Sequence, residues 1–521
     1  MRHLLAVAVV ALLAAPATAQ AHDESSPDLP LPGLTRHLLP VFPKQKPRTA
    51  KEIRAITRRE APGKLELVGH SPLNSRGMNA ALAVWGDYAY VGNRSDATQS
   101  PNAGVMVVDI SDPSSPEVVG QIGAPNEGMP GGSSRELRIL PEQGLLMVLS
   151  HACSELLHHC LSPSLSGASY FRSVIRFYDI RGEHAGAPEL VATYQPSRNA
   201  PQQPHEFFVW SDPQRRGRVL LYQTTPTTTS ADAETVRENM IVTDISDARD
   251  GVFPEIAKWT PRIDNPDRDD RLHSLTLSAD GRRAYLAYLG GGFLVADTSD
   301  FADAKENPEV RLVTPVEDRV FWTDPGAHSA AKVPSKPFAL VTDEVYGNIP
   351  VLLEAHGCPW GWVRMIDVRD EARPRVAAEY KLPVNEEKSC EGTPPDREHA
   401  SSFSAHNPTV LQDIAFVTWH GAGLQAIDIR NPAKPRPAAQ YVPDPLPYVQ
   451  TEDPVLSSGR DKVVMWSFPI IKDGLIYVVD IRNGLYVLRY RGPHQRQVAR
   501  VKFLDGNSNS GDAVGLSRTG A

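Results

Sequence analysis

Four histidines stand at matching places in the 521-residue chain: His205 in QPHEFFVW, His273 in RLHSLTLSADG, His328 in GAHSAAKV and His406 in SAHNPTV. Each precedes a short run that reads as a β-strand, and Leu275 and Leu277 run into an Asp280-Gly281 hairpin turn. Strand formation does not call for a histidine at its mouth. Neutral imidazole is, however, the commonest nitrogen ligand for transition metals. If the four strands converge, the four imidazoles form a metal site. Such a donor set suits copper or iron, with zinc a third candidate, and disfavours calcium and magnesium, which prefer oxygen. A centre of this kind with an open position binds dioxygen or polarises a substrate oxygen. The competing reading is a hydrogen-bonding ring inherited by duplication; concentration at one register favours the metal.

Further chemistry-bearing residues cluster in the same segments. Glu206 directly follows His205, and strand alternation predicts that it points away, which leaves Glu136 as the better carboxylate to orient an imidazole. His151 and His420 end the strands that follow, while His399 and His356 lie in long loops. Of these, His399 and His420, with Glu136, are the candidate catalytic residues, as proton shuttles or substrate contacts. Trp322, Trp360 and Trp362 are candidates for an apolar wall. Cys153 and Cys160 are near neighbours, and Cys358 and Cys390 are further apart; two disulfides in that arrangement are the simplest of three pairings. A thiolate metal site joined by His158 and His159 is the less favoured alternative.

The elements that must position these residues are repeated. GVMVVDISDPSSPEVVGQI (104–122) returns in SVIRFYDIRGEHAGAPELVATY, NMIVTDISDARDGVFPEIAKW, GGFLVADTSDFADAKENPEVRLV, GWVRMIDVRDEARPRVAAEY and AGLQAIDIRNPAKPRPAAQY, with a degenerate seventh copy, NGLYVLRYRG. Asp109, Asp179, Asp244, Asp297, Asp367 and Asp428 mark the register, and Arg489 takes that place in the last copy. Two strands joined by a hairpin precede each copy. Four antiparallel strands in each of seven units predict an all-β fold, a seven-bladed β-propeller. GKLELVGHSPL (63–73) resembles a fourth strand without its first three, so it is expected to complete the last blade and close the ring.

In a propeller the first strand of each blade lines the channel. His205, His273, His328 and His406 then enter it from blades 3, 4, 5 and 6, with Asn79, Glu136 and Ser467 at the corresponding places elsewhere.

The strands MVVDISDP, IVTDISD and QAIDIRNP resemble those of the LVIVD-repeat propellers, over about residues 63–492. More distantly the chain is similar to selenium-binding proteins and methanethiol oxidases, a resemblance that implies a histidine-bound copper site without naming its residues.

Arg2 and His3 before the apolar run Leu4–Ala15, then Ala17-Thr18-Ala19, predict a cleaved signal peptide over 1–21 and a secreted or periplasmic protein. Residues 22–62 read as a lead-in. The tail, 493–521, reads as partly disordered, above all DGNSNSGDAVGLSRTGA from 505. The net charge of −8, with no basic stripe, argues against nucleic acid, and no later apolar run spans a membrane. GxSxG, HExxH and phosphate-loop motifs are absent. The expected function is an exported copper- or iron-dependent oxidase or oxygenase of a small molecule. The rivals are a metal-assisted lyase or hydrolase, using groups such as Arg135, Glu136 or His399, and a non-enzymatic scaffold that binds a protein partner.

Overall fold

Apolar runs separated by Asp-Gly and Pro turns fold into seven antiparallel sheets of the four-stranded kind the repeat predicts, the last of which gains a fifth strand, Phe503–Leu504. The computed structural model describes residues 50–94, 102–123, 132–152, 174–196, 204–225, 239–261, 272–322, 326–344, 361–389, 402–453 and 462–511. The four cysteines, His356, His399 and Trp360 lie outside these residues, as does the expected signal peptide. Blade 3 is representative, with strands Glu206–Ser211, Val219–Thr224, Met240–Asp244 and Glu255–Trp259. Its first two strands are wholly buried, whereas the fourth is largely half-exposed. Blade-to-blade packing is apolar: Trp210, Leu220 and Tyr222 of blade 3 meet Leu275, Leu286 and Leu294 of blade 4.

The register aspartates are turn-formers. Asp109, Asp179, Asp244, Asp297, Asp367 and Asp428 each accept, through Oδ1, the N–H two residues on, at 2.8 to 3.0 Å. This Asx turn ends the third strand and turns the chain towards the fourth. In blade 7 Asp480 makes the same turn one strand earlier, accepting from Arg482 N–H at 2.9 Å. The closing strand Lys64–Ser71 pairs antiparallel with Gly484–Arg491, bringing Leu65 opposite Tyr490 and Ser71 opposite Leu485. Ring closure is as expected.

Both segments flanking the ring carry structure. The helix Ala50–Thr57, at the end of the lead-in, buries Ile53 beside Leu382 and Val442. Its Arg54 donates to Val442 O at 2.9 Å, and Thr57 Oγ1 accepts from Gln440 Nε2 at 2.8 Å.

The tail carries structure over its described residues, up to 511. A short helix, Gln495–Ala499, leads to Phe503–Leu504, which pairs with Lys472 and Ile471 on the first strand of blade 7. Ser508 then bridges Val209, the Asn509 amide bonds both Ser211 O (2.7 Å) and Ser211 N–H (2.6 Å), and Ser510 Oγ donates to Ile139 O at 3.3 Å. The segment therefore crosses the ends of first strands in blades 7, 3 and 2, away from the histidine mouth. Asp505, Asn507 and Ser510 are buried. Here the side chains of Asn509 and Ser510 satisfy main-chain groups at the far ends of the first strands.

Candidate metal centre

One hydrogen bond sets the histidine register. The backbone N–H groups of His205, His273, His328 and His406 donate to Thr224, Ala287, Thr342 and Thr418 O, at 2.8, 2.9, 2.8 and 2.8 Å. Each histidine is thereby tied to the end of the second strand in its own blade. Threonines there also reach the next blades: Thr224 Oγ1 donates to His273 O at 2.8 Å and Thr342 Oγ1 to His406 O at 2.5 Å. The histidine carbonyls are thus held from one side and the amides from the other.

The rings form a crescent. Centroids lie 4.4 Å apart for His205–His273, 3.9 Å for His273–His328 and 4.6 Å for His328–His406. His420 extends it, 5.1 Å beyond His406. Its φ of 27° is strained for a residue with a side chain, a cost on the order of 1–3 kcal/mol that proteins tolerate mostly at functional sites.

At the centre of this end sits Glu344, which the sequence reading missed. It lies two residues past Thr342 in blade 5, as His420 lies two past Thr418 in blade 6; aligning VTDE with VTWH would have found it. Its carboxylate stands 3.0 Å from His328 Nε2, 3.3 Å from His406 Nε2 and 3.1 Å from His420 Nε2.

The other ring nitrogens are engaged. His406 Nδ1 donates to Trp466 O at 2.7 Å, and His273 Nδ1 to His328 O at 3.1 Å; a carbonyl only accepts, so both protons are on Nδ1. His328 Nδ1 donates to Ser329 Oγ at 2.9 Å, because that hydroxyl gives its own proton to Asn407 Oδ1 at 3.2 Å. His420 Nδ1 lies 2.9 Å from Ser402 Oγ. Burial pushes His273 and His406 well below the usual imidazole range, which keeps them neutral. The Nε2 lone pair of His406 therefore faces the Glu344 carboxylate, an arrangement that repels unless a cation lies among the donors. His420 Nε2 and Glu344 Oε1 are both buried without a hydrogen-bond partner despite their proximity. Oriented imidazoles with engaged Nδ1 atoms are the pattern of metal ligands.

Three overlapping sets have ligand atoms all within 4.8 Å of one another: Glu344–His406–His420, His273–His328–Glu344 and His205–Glu206–His273. The four histidines read from sequence do come together, but in triads, two of which share Glu344.

The carboxylates exchange their expected places. Glu206 Oε1 is 3.9 Å from His273 Nδ1 and belongs to a triad, whereas Glu136 turns to Arg138, whose Nη2 is 3.1 Å away. Strand alternation misled because His205 precedes the strand, which begins at Glu206. Burial, with Glu206 nearby, pushes Glu136 up to about 7. Trp322 and Trp362 bracket the Arg364 guanidinium, at 4.2 and 4.7 Å, and Arg364 pairs with Asp343 beside Glu344. His151 ends its strand as expected.

Seven antiparallel blades of this topology define a β-propeller built from repeats. The model of the LVIVD repeat family matches residues 76–123, which span blade 1, and the chain is similar to that family there. No curated protein matches the chain significantly. Among solved structures, Saccharomyces cerevisiae Sqt1 is similar at 10% identity and a TM-score of 0.45, over 82% of this chain and 100% of that one. Chaetomium thermophilum Raptor is similar at 10% identity and 0.43, over 83% of this chain and 30% of that one.

Proposed function

We propose that the protein is an exported metalloenzyme that oxidises a small organic molecule at an iron or copper ion held by Glu344, His406 and His420, with His328 beside them. The observation that carries this reading is the convergence of three Nε2 atoms on one buried carboxylate, at 3.0 to 3.3 Å. Two histidines with one carboxylate make the donor set of non-haem iron oxygenases, which moves the preference from copper towards iron. The ion, when bound, supplies dioxygen activation and electron transfer.

The chain's own residues do the rest. The Trp466 carbonyl and Ser329 hydroxyl hold two imidazoles in the tautomer that leaves Nε2 basic. Burial keeps the His406 imidazole neutral and water away from the donors. The tail bonds first-strand ends away from the histidines, and substrate enters at the histidine mouth. Export is supported by the Leu4–Ala15 leader.

The test is elemental analysis of the purified protein after reconstitution with iron, copper or zinc. One equivalent of iron or copper, lost in Glu344→Gln, is expected. Exclusive zinc binding would favour the lyase or hydrolase reading, since two histidines and a glutamate also hold catalytic zinc. Absence of any metal would leave the scaffold.

A further inference from the structure

We propose that Arg135 recognises a carboxylate on the substrate of this metal centre, an inference that rests on the function proposed above. Arg135 lies on the first strand of blade 2, where Ser134 pairs with Ser150 and Glu136 with the adjacent Leu149. It is the extra residue of a β-bulge, a device that re-aims a side chain and is common beside active sites. Ser134 and Glu136 are buried, whereas Arg135 is half-exposed.

The bulge brings its guanidinium to the crescent. Nη2 donates to His205 Nε2 at 3.3 Å, and the guanidinium carbon lies 5.7 Å from the Trp466 ring centre. Trp466 also packs 4.8 Å from His406, a proposed ligand, so one indole adjoins both the cation and the metal end. Two other arginines nearby serve the fold. Arg94 pairs with buried Asp453 at 3.0 Å, and Arg138 lies between Glu136 and Asp505.

Charge decides what each end of the crescent takes. At His205 the guanidinium already supplies the positive charge that a second ion would bring, so that triad repels a cation. At the Glu344 end the nearby guanidiniums are matched by acids, Arg364 by Asp343 and Arg94 by Asp453, and that end takes the metal. A ligand lying along Trp466 then meets a metal at one end and a guanidinium at the other. The planar guanidinium fork matches a carboxylate bidentately. One positive charge close to Glu206 and Glu136 suits a monoanion and disfavours a phosphate dianion.

The experiment compares benzoate with uncharged benzamide as ligands of the metal-reconstituted full chain, by calorimetry, with metal content measured in parallel. Wild type is expected to prefer benzoate. Arg135→Gln should keep its metal yet bind benzoate at least tenfold more weakly, with benzamide unchanged, and Arg135→Lys should fall between. Undiminished benzoate binding by a metal-replete Arg135→Gln protein, or equal binding of both ligands by wild type, would overturn the proposal. A wild-type protein that takes up no metal overturns the centre itself, a result the parallel metal measurement distinguishes.

Discussion

Glu344→Gln keeps the size and shape of the side chain while removing the negative charge that three imidazoles surround. Metal content should fall more than tenfold, because an amide oxygen is a far weaker ligand than a carboxylate for a divalent ion. Glu136→Gln, at a buried carboxylate that faces Arg138 rather than the imidazoles, should leave metal content within twofold of wild type. Equal losses in the two variants would mean that the channel's net charge, not Glu344 as a ligand, controls uptake. This contrast separates what could be read from sequence at single positions from what could not. The histidines are legible because each opens a first strand, and four repeats of one place expose the pattern. Glu344 is hidden because it lies two residues past its strand, at a place where blade 6 carries a histidine instead, so only an alignment of strand ends marks it. Glu206 is misassigned because alternation was applied across a strand boundary. Only the hydrogen bonds show where that boundary falls.

Turns and tails carry the fold at the next scale. Asp179 ends the third strand of blade 2, and Arg249, from the turn of blade 3, grips it with two bonds, at 2.8 and 2.9 Å. Arg249 first, then Arg181, hold the Asp179 carboxyl well below its usual range. A depressed folded-state pKa gives stability that is fully present above the ordinary carboxylate value of about 4 and lost as pH falls towards the folded value. Asp179→Asn should therefore lower stability by about 1–2 kcal/mol at pH 7, as for charged hydrogen bonds with part-exposed partners. Its melting temperature should also decline less steeply than that of wild type below about pH 4. Parallel acid limbs in thermal melts would show that this inter-blade clamp contributes nothing. The tail makes the second prediction. A chain ending at Arg500 loses the Leu504–Ile471 pairing and the amide that satisfies both main-chain groups of Ser211. It should melt several degrees lower while keeping its strand signal in circular dichroism and its metal, since the site is at the other end. An unchanged melting temperature would make the tail incidental. Repetition made the blades legible; a tail that occurs once, rich in Gly, Ser and Asn, offers no period to read.

A ring of blades has no free edge, and one strand from outside the repeat order is what removes it. The strand Lys64–Ser71 lies hundreds of residues from its partner Gly484–Arg491, so its pairing closes the whole chain rather than a local hairpin. Closure depends on burial as well as on the ladder. Leu65 is 6% exposed and packs among Phe416, Ala438 and Tyr490, joining blade 7 to blade 6, whereas Leu67 is 52% exposed on the same strand. Removing the Leu65 side chain leaves a cavity between blades, so Leu65→Ala should cost about 2–4 kcal/mol in urea unfolding. Leu67→Ala should stay within about 0.5 kcal/mol of wild type. The same interface passes inward to His406 and His420, which blade 6 supplies, while Glu344 and His328 come from blade 5. Metal at about one hundred times its Kd should add close to 2.7 kcal/mol of stability to both variants, as linkage requires of any ligand of the folded ring. If Leu65→Ala loses that increment while Leu67→Ala keeps it, the closing strand and the metal centre form one cooperative unit. If both keep it, blades 5 and 6 hold the donors independently of how the ring is latched, and that is the expected outcome, because the histidine amides are bonded within their own blades.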